Sequence, residues 1–311
     1  MVALLLLPAC GRDSPTRSTP VSTPETGFPA GTVFSIASGA TNAPVPGAAV
    51  TVAGLAYTAD GQGQVRLTQR AESQALLDVV APGWLDRQTL LRRPEATRFS
   101  LWPRTGPAGF DDNYTATLVY TSPATGGGPV GERSLLRLRG GDTRATVVLS
   151  PELLADPQAV AAHQAAIDGL NSAVNGAVVY VLASAAPAAG IVFTTAVDAS
   201  DASCEPRVRG FFSGRTQASE IFEGRVVYCS QSVARTTTAM HELGHSFGLG
   251  HSPEPRDIMF TTFGGVRGEG FTSREVLAMN LLLTRRGGNR YPDNDRQVTA
   301  AGRGRVVHVC R

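Results

Sequence analysis

The 311 residues contain no run of about 20 consecutive apolar side chains, so no membrane-spanning helix is expected. They contain no long basic run and no basic stripe interleaved with aromatics, and the net charge is only +2. Nucleic acid is therefore not an expected partner. No internal repeat stands out. Cysteine is scarce, at four residues, Cys10, Cys204, Cys229 and Cys310, and histidine is little commoner, at five. Charged residues make up 17% against 42% hydrophobic, which places the chain among folded proteins with real cores. What is abundant is glycine (34) and proline (20), which favours many turns and a substantial β component. The length is that of about two domains.

The first ten residues, "MVALLLLPAC", are a short apolar run ending in small residues and Cys10. They resemble the tail of a bacterial lipoprotein signal, which is cut before a cysteine that then carries lipid. Residues 11–30 are rich in Ser, Thr and Pro and lack apolar periodicity, as a tether between an anchor and a folded body would be. An exported protein, lipid-anchored at Cys10 or secreted, is the expectation, with the membrane reached only through that anchor. Such a protein can keep a disulfide. With Cys10 set aside, one disulfide and one thiol is the simplest count. Cys204–Cys229 is the expected pair, and Cys310 could replace either member.

Residues 31–104 carry short β-type runs separated by Gly, Pro and Asp turns, with no helical period. That is the pattern of a small all-β sandwich. The order "PVPGAAVTVAG", "YTADGQGQVRL", "LLDVVAPGW" resembles the carboxypeptidase-regulatory-like, transthyretin-type domain. It contains no histidine and no convergent acidic cluster, so it reads as an accessory module without chemistry. From 105 the character changes. "YTATLVY", "ATVVLS", "VVYVLA", "GIVFTTAVD" and "EGRVVYCS" read as strands. Residues 150–174 read as a helix that Asp156-Pro157 can split, with Ser150 and Pro151 at its start. "SVARTTTAMHELGHSFGLG" reads as a second helix. "FTSREVLAMNLLLTRR" reads as a third, with Thr272 as N-cap and Glu275 at the capping-box position. A mixed sheet with these helices is an α+β layout over 105–290, and 291–311 reads as a basic C-terminal tail.

Three of the five histidines lie in "HELGHSFGLGH", residues 241–251. His241 and His245 are one helical turn apart on one face, a spacing that offers zinc two nitrogen ligands. Glu242 projects beside that pair rather than into it and can act as general base toward a metal-activated water. His251 is out of helical register. Gly248 is placed to end the helix in the left-handed conformation and turn the chain so that His251 returns to the metal. Three nitrogens with an open fourth position is the catalytic rather than the structural pattern. His163 and His308 lie elsewhere and read as core or surface residues.

His-Glu-x-x-His-x-x-Gly-x-x-His followed by a methionine, here Met259 in "RDIMF", resembles the metzincin zinc peptidases. Ser252 after the third histidine resembles the matrixin branch. The resemblance implies zinc held by His241, His245 and His251, Glu242 as the catalytic base, and Met259 as an apolar floor that is not a ligand. Thr261 stands where some branches carry a tyrosine ligand, so none is assigned. No cysteine-bearing propeptide precedes the domain, so latency through a thiolate ligand is not indicated. The resemblance further implies that substrate, a protein or peptide, adds as a strand above the site helix, within 191–198 or 220–229. Glycine-rich residues 260–271 would wall an apolar pocket lined by Phe263 and Val266. A monomer is expected.

A zinc endopeptidase on a lipid tether is thus the leading expectation. A surface adhesion lipoprotein with a vestigial metal site is the alternative, which the intact Glu242 disfavours, and a zinc hydrolase of non-peptide bonds is the third reading. For the anchor, Cys10→Ser expressed from the native start should move the protein from the membrane fraction to the soluble one. Identical fractionation of both proteins would refute the lipid reading.

Overall fold

The computed structural model describes residues 27–92, 97–105, 110–121, 134–142, 144–261, 268–295 and 303–310. The signal-like segment, the tether up to residue 26 and half of the expected pocket wall (262–267, with Phe263 and Val266) lie outside the described residues. Gly27–Phe28 pairs with Ala71–Glu72, a few residues before the expected boundary at 31.

The first part of the chain forms a three-stranded and a four-stranded sheet. Val33–Ser38 lies between Gln64–Arg66 and Arg98–Leu101. Ala49–Val52 and Leu76–Val80 form the middle of the other sheet. Alternate residues of both sheets, among them Phe34, Ile36, Val50, Val52, Leu77 and Val79, meet in one apolar cluster. This is the period-two consequence of strands with one buried face.

The second part is built on a mixed sheet. Its strands run in the order Val179–Ala183, Arg144–Leu149, Ile191–Val197, Glu220–Tyr228, Gly210–Gln217, Arg303–Cys310. The first four are mutually parallel, and Gly210–Gln217 is antiparallel to both its neighbours. Helix Pro157–Ala173 starts with Asp156 accepting from the Gln158 N–H and Pro157 at the first helical position. The expected split at Asp156-Pro157 is present, and Pro151–Leu154 forms the short preceding turn. Ser150 occupies the N-cap of that turn without a side-chain capping bond.

Three expectations fail here. "YTATLVY" is largely the helix Asp112–Leu118, because Asp111 caps it by accepting from the Tyr114 N–H, a local bond that outweighs the β propensity of the residues behind it. The basic segment 291–311 is not a loose tail: residues 303–310 form an eight-residue strand of the main sheet. The strands expected to receive substrate, Ile191–Val197 and Glu220–Tyr228, both lie inside the sheet with neighbours on each side. The sheet's antiparallel border is Gly210–Gln217, which was not expected as a strand, followed by Arg303–Cys310.

A buried polar network joins the two parts. The Arg285 guanidinium donates to both Asp293 carboxylate oxygens at 2.7–2.9 Å and to Ser100 Oγ and the Ser100 carbonyl at 2.9 and 2.7 Å. Thr89 Oγ1 donates to Asp295, and Asn289 Nδ2 donates to both Asp293 and Asp295. Arg285 and Asp293 are each about 1% exposed. The first part therefore supplies acceptors that the last turn of the second part needs. Removing one partner of a buried pair strands the other's charge, at about 3–5 kcal/mol, whereas replacing both with apolar groups costs far less. Arg285→Ala should accordingly lower the unfolding free energy by about that amount in urea, and Arg285→Met with Asp293→Leu should recover most of it. A single variant as stable as wild type would show that the buried pair does not stabilise the fold.

Candidate metal centre

Helix Thr236–Phe247 carries His241, Glu242 and His245, all three fully buried. The expected helix end is present. Gly248 has φ +115°, and its N–H and that of Leu249 return to the carbonyls of His245 and Gly244. A side chain at 248 would also collide with the Leu136 carbonyl, so glycine is required there twice over. The chain then turns back, and His251 reaches the same point in space as the two helical histidines.

Backbone carbonyls set the ring tautomers. His241 Nδ1 donates to the Ile258 carbonyl at 2.7 Å, and His245 Nδ1 donates to the Leu249 carbonyl at 2.8 Å. A carbonyl only accepts, so each Nδ1 holds the proton and each Nε2 presents a lone pair to the cluster. Burial, with the neighbouring rings of His308, His241 and His251 adding to it, holds His245 well below the usual histidine range. The His245 ring is thus kept in the neutral form that binds metal.

The cluster has a fourth member. Cys310 Sγ lies 3.0 Å from His241 Nε2, 3.5 Å from His245 Nε2 and 3.6 Å from His251 Nε2. Donor atoms of all four residues lie within 4.8 Å of one another, and together they could hold a metal ion. The spacing can be tested against zinc. Tetrahedral bonds of about 2.0–2.1 Å to nitrogen and 2.3 Å to sulfur place two nitrogens about 3.3 Å apart and nitrogen and sulfur about 3.6 Å apart. His241 and His245 Nε2 are 3.2 Å apart, and two of the three sulfur distances are 3.5 and 3.6 Å. Lone pairs facing one another at that separation repel unless a cation lies between them. The residues fit zinc.

Two sequence expectations change here. A thiolate at the site was not indicated, yet Cys310 is part of the cluster, because the strand that carries it pairs with Gly210–Gln217 and brings residue 310 opposite Gly210. His308, expected to have no role, is half-buried and stacks flat on His245, with ring centroids 4.2 Å apart. Burial, with His251 adding to it, pushes His308 down to about 3. His163 is the core histidine it was expected to be, donating from Nδ1 to the Ala159 carbonyl and accepting at Nε2 from the Tyr228 hydroxyl. Cys204 and Cys229 are joined, with Cα atoms 5.5 Å apart.

Met259 is fully buried beneath the site helix, with its sulfur so close to Gly244 that a side chain there would overlap it. Two buried carboxylates hold the turn that carries it. Asp257 accepts from Ser252 Oγ, Tyr114 Oη and Thr272 Oγ1. Glu275 accepts from the Met259 and Thr272 N–H groups at 2.7 and 2.8 Å, so the expected capping-box residue also fixes the methionine turn. Asp257 and Tyr114 were missed, and no local pattern marks them.

Residues 144–275 match the family model described as Matrixin. The span includes the site helix and all three histidines but stops before the strand that carries Cys310. It supports a matrixin-like zinc metalloprotease. A comparison with curated proteins gave no match.

Burial, reinforced by the Asp257 charge, raises Glu275 from 4.5 to about 7. The sign follows. As pH rises from about 4.5 to about 7 the unfolded state ionises first, so this group's contribution to stability falls across that window and is flat on either side. Glu275→Gln cannot ionise, so its stability relative to wild type should improve by about 3 kcal/mol between pH 4 and pH 7. Parallel pH slopes for the two proteins in urea titrations would contradict a raised Glu275.

Proposed function

We propose that the protein is a zinc-dependent endopeptidase, exported and held at the cell envelope by lipid on Cys10. The observation that carries this is the convergence of His241, His245 and His251 with Glu242 adjoining them, inside the span that matches the matrixin model. The Cys204–Cys229 disulfide supports an oxidising compartment. Among the described residues no helix is long and apolar enough to cross a membrane. The first two sheets, around their single apolar cluster, support the accessory carboxypeptidase-regulatory-like sandwich.

In this reading His241, His245 and His251 hold the metal. Zinc there supplies Lewis acidity, which polarises the scissile carbonyl and makes water acidic enough for a weak base. Glu242 takes the proton of the attacking water and delivers it to the leaving amine. Its carboxylate is buried beside Gly210. The Ile258 and Leu249 carbonyls keep two of the rings oriented while the charge changes. Met259 gives the site a dry, incompressible floor.

Purified protein should contain one zinc per chain and cleave an unstructured protein such as casein on long incubation, with a chelator abolishing the cleavage. Glu242→Ala should keep fold and zinc while losing about 10²–10⁴-fold in rate. Equal turnover by both proteins, or no zinc after metal-replete purification, would refute the assignment.

A further inference from the structure

The strand Arg303–Cys310 does two things at once. It pairs antiparallel with Gly210–Gln217 through eight consecutive residue pairs, from Gly210 opposite Cys310 to Gln217 opposite Arg303. It thereby covers the sheet edge nearest the histidines, the edge on which an extended peptide would add as a further strand. Strand alternation also turns Val306, His308 and Cys310 to one face. Val306 is buried in the main core, His308 lies flat against His245, and Cys310 Sγ reaches all three metal-facing nitrogens. Sulfur in that position completes four-coordination, and hydrolysis needs a position left open. Glu242 is fully buried beside Gly210, the residue that Cys310 faces across the pairing.

Resting on the protease reading above, we infer that Arg303–Cys310 is an intramolecular inhibitor: it fills the substrate's edge, and the Cys310 thiolate is the fourth metal ligand. The enzyme is then latent while the strand is paired and competent once it is withdrawn. Coordination and edge pairing act on different parts of the same eight residues, so each holds the other in place. A thiolate alone could be displaced by water, and a strand alone would leave the metal open at its end. The inhibitory strand follows the catalytic segment in sequence, so the chain can finish folding the site before closing it.

Cobalt(II) substitution tests the ligand separately from activity. The full chain loaded with cobalt should show a thiolate-to-cobalt charge-transfer band in the near ultraviolet, and Cys310→Ala should lack it while still binding one cobalt per chain. Zinc-loaded Cys310→Ala, and a second variant ending at residue 302, should cleave casein at least about ten-fold faster than the full chain, as expected when a closed state that dominates the population is removed. No charge-transfer band in the full chain, or a band that survives Cys310→Ala, overturns the inference. A band that disappears as expected, with both variants no faster than a full chain that does cleave casein, also overturns it, since the thiolate would then be a ligand that inhibits nothing. If the variants bind metal but neither they nor the full chain cleaves anything, it is the protease reading that fails.

Discussion

Two hydrogen bonds, from His241 Nδ1 to the Ile258 carbonyl and from His245 Nδ1 to the Leu249 carbonyl, govern the rest of the site. They put the protons on the outer nitrogens and turn the inner lone pairs toward one another. That arrangement is unfavourable by itself, and the fold must hold it against repulsion until a cation relieves it. The helix end at Gly248 exists to place Leu249 where its carbonyl can accept, and the turn 257–259 exists to place Ile258. The carboxylates of Asp257 and Glu275 fix that turn through hydroxyl and backbone donors, which carries the constraint outward to the helix Ser273–Thr284 and to Tyr114. The centre is built less by its ligands than by the carbonyls behind them.

How much of this could be read from residues alone depended on range. The convergence of His241, His245 and His251, the helix stop at Gly248, the break at Asp156-Pro157 and the Thr272–Glu275 capping box are each set within a few residues, and each was legible. The Arg285–Asp293 network was not, because Ser100 and Thr89 meet it across nearly two hundred residues. "GFFSGRTQ" did not read as a strand, since its two glycines and polar end dilute the β signal that its neighbours in the sheet provide. The segment 303–310 was hidden by its charges. Arg303 and Arg305 stand at its exposed start and suggest a solvated tail, while its inward face is only Val306, the half-buried His308 and Cys310. That alternation, together with a cysteine left over from the Cys204–Cys229 pair, was the available signal.

The two parts of the chain divide their work unequally. The β-rich part has its own apolar cluster and brings no group to the metal. It nevertheless meets the second part through hydrogen bonds from the buried Arg285 to Ser100 and between Thr89 and Asp295. Those contacts gather around residues 285–295, between the helix Ser273–Thr284 and the strand Arg303–Cys310. The accessory part is thus attached to the stretch of chain from which the strand over the metal departs.

Pairing by backbone hydrogen bonds has no preference of its own among registers, and a slip by one residue would present Val309 to the metal, a slip by two His308. What selects the sulfur is a set of small steric and polar stops. Gly304 passes over Thr216 where any side chain would press on the hydroxyl, Arg305 Nε donates to Ser213 Oγ at 2.8 Å, and the Arg209 N–H donates to the Cys310 carbonyl at 2.9 Å. The identity of the donor atom is therefore decided in part at the far end of the strand, some six residues away, as the bitting of a key is decided by the depth of its shoulder.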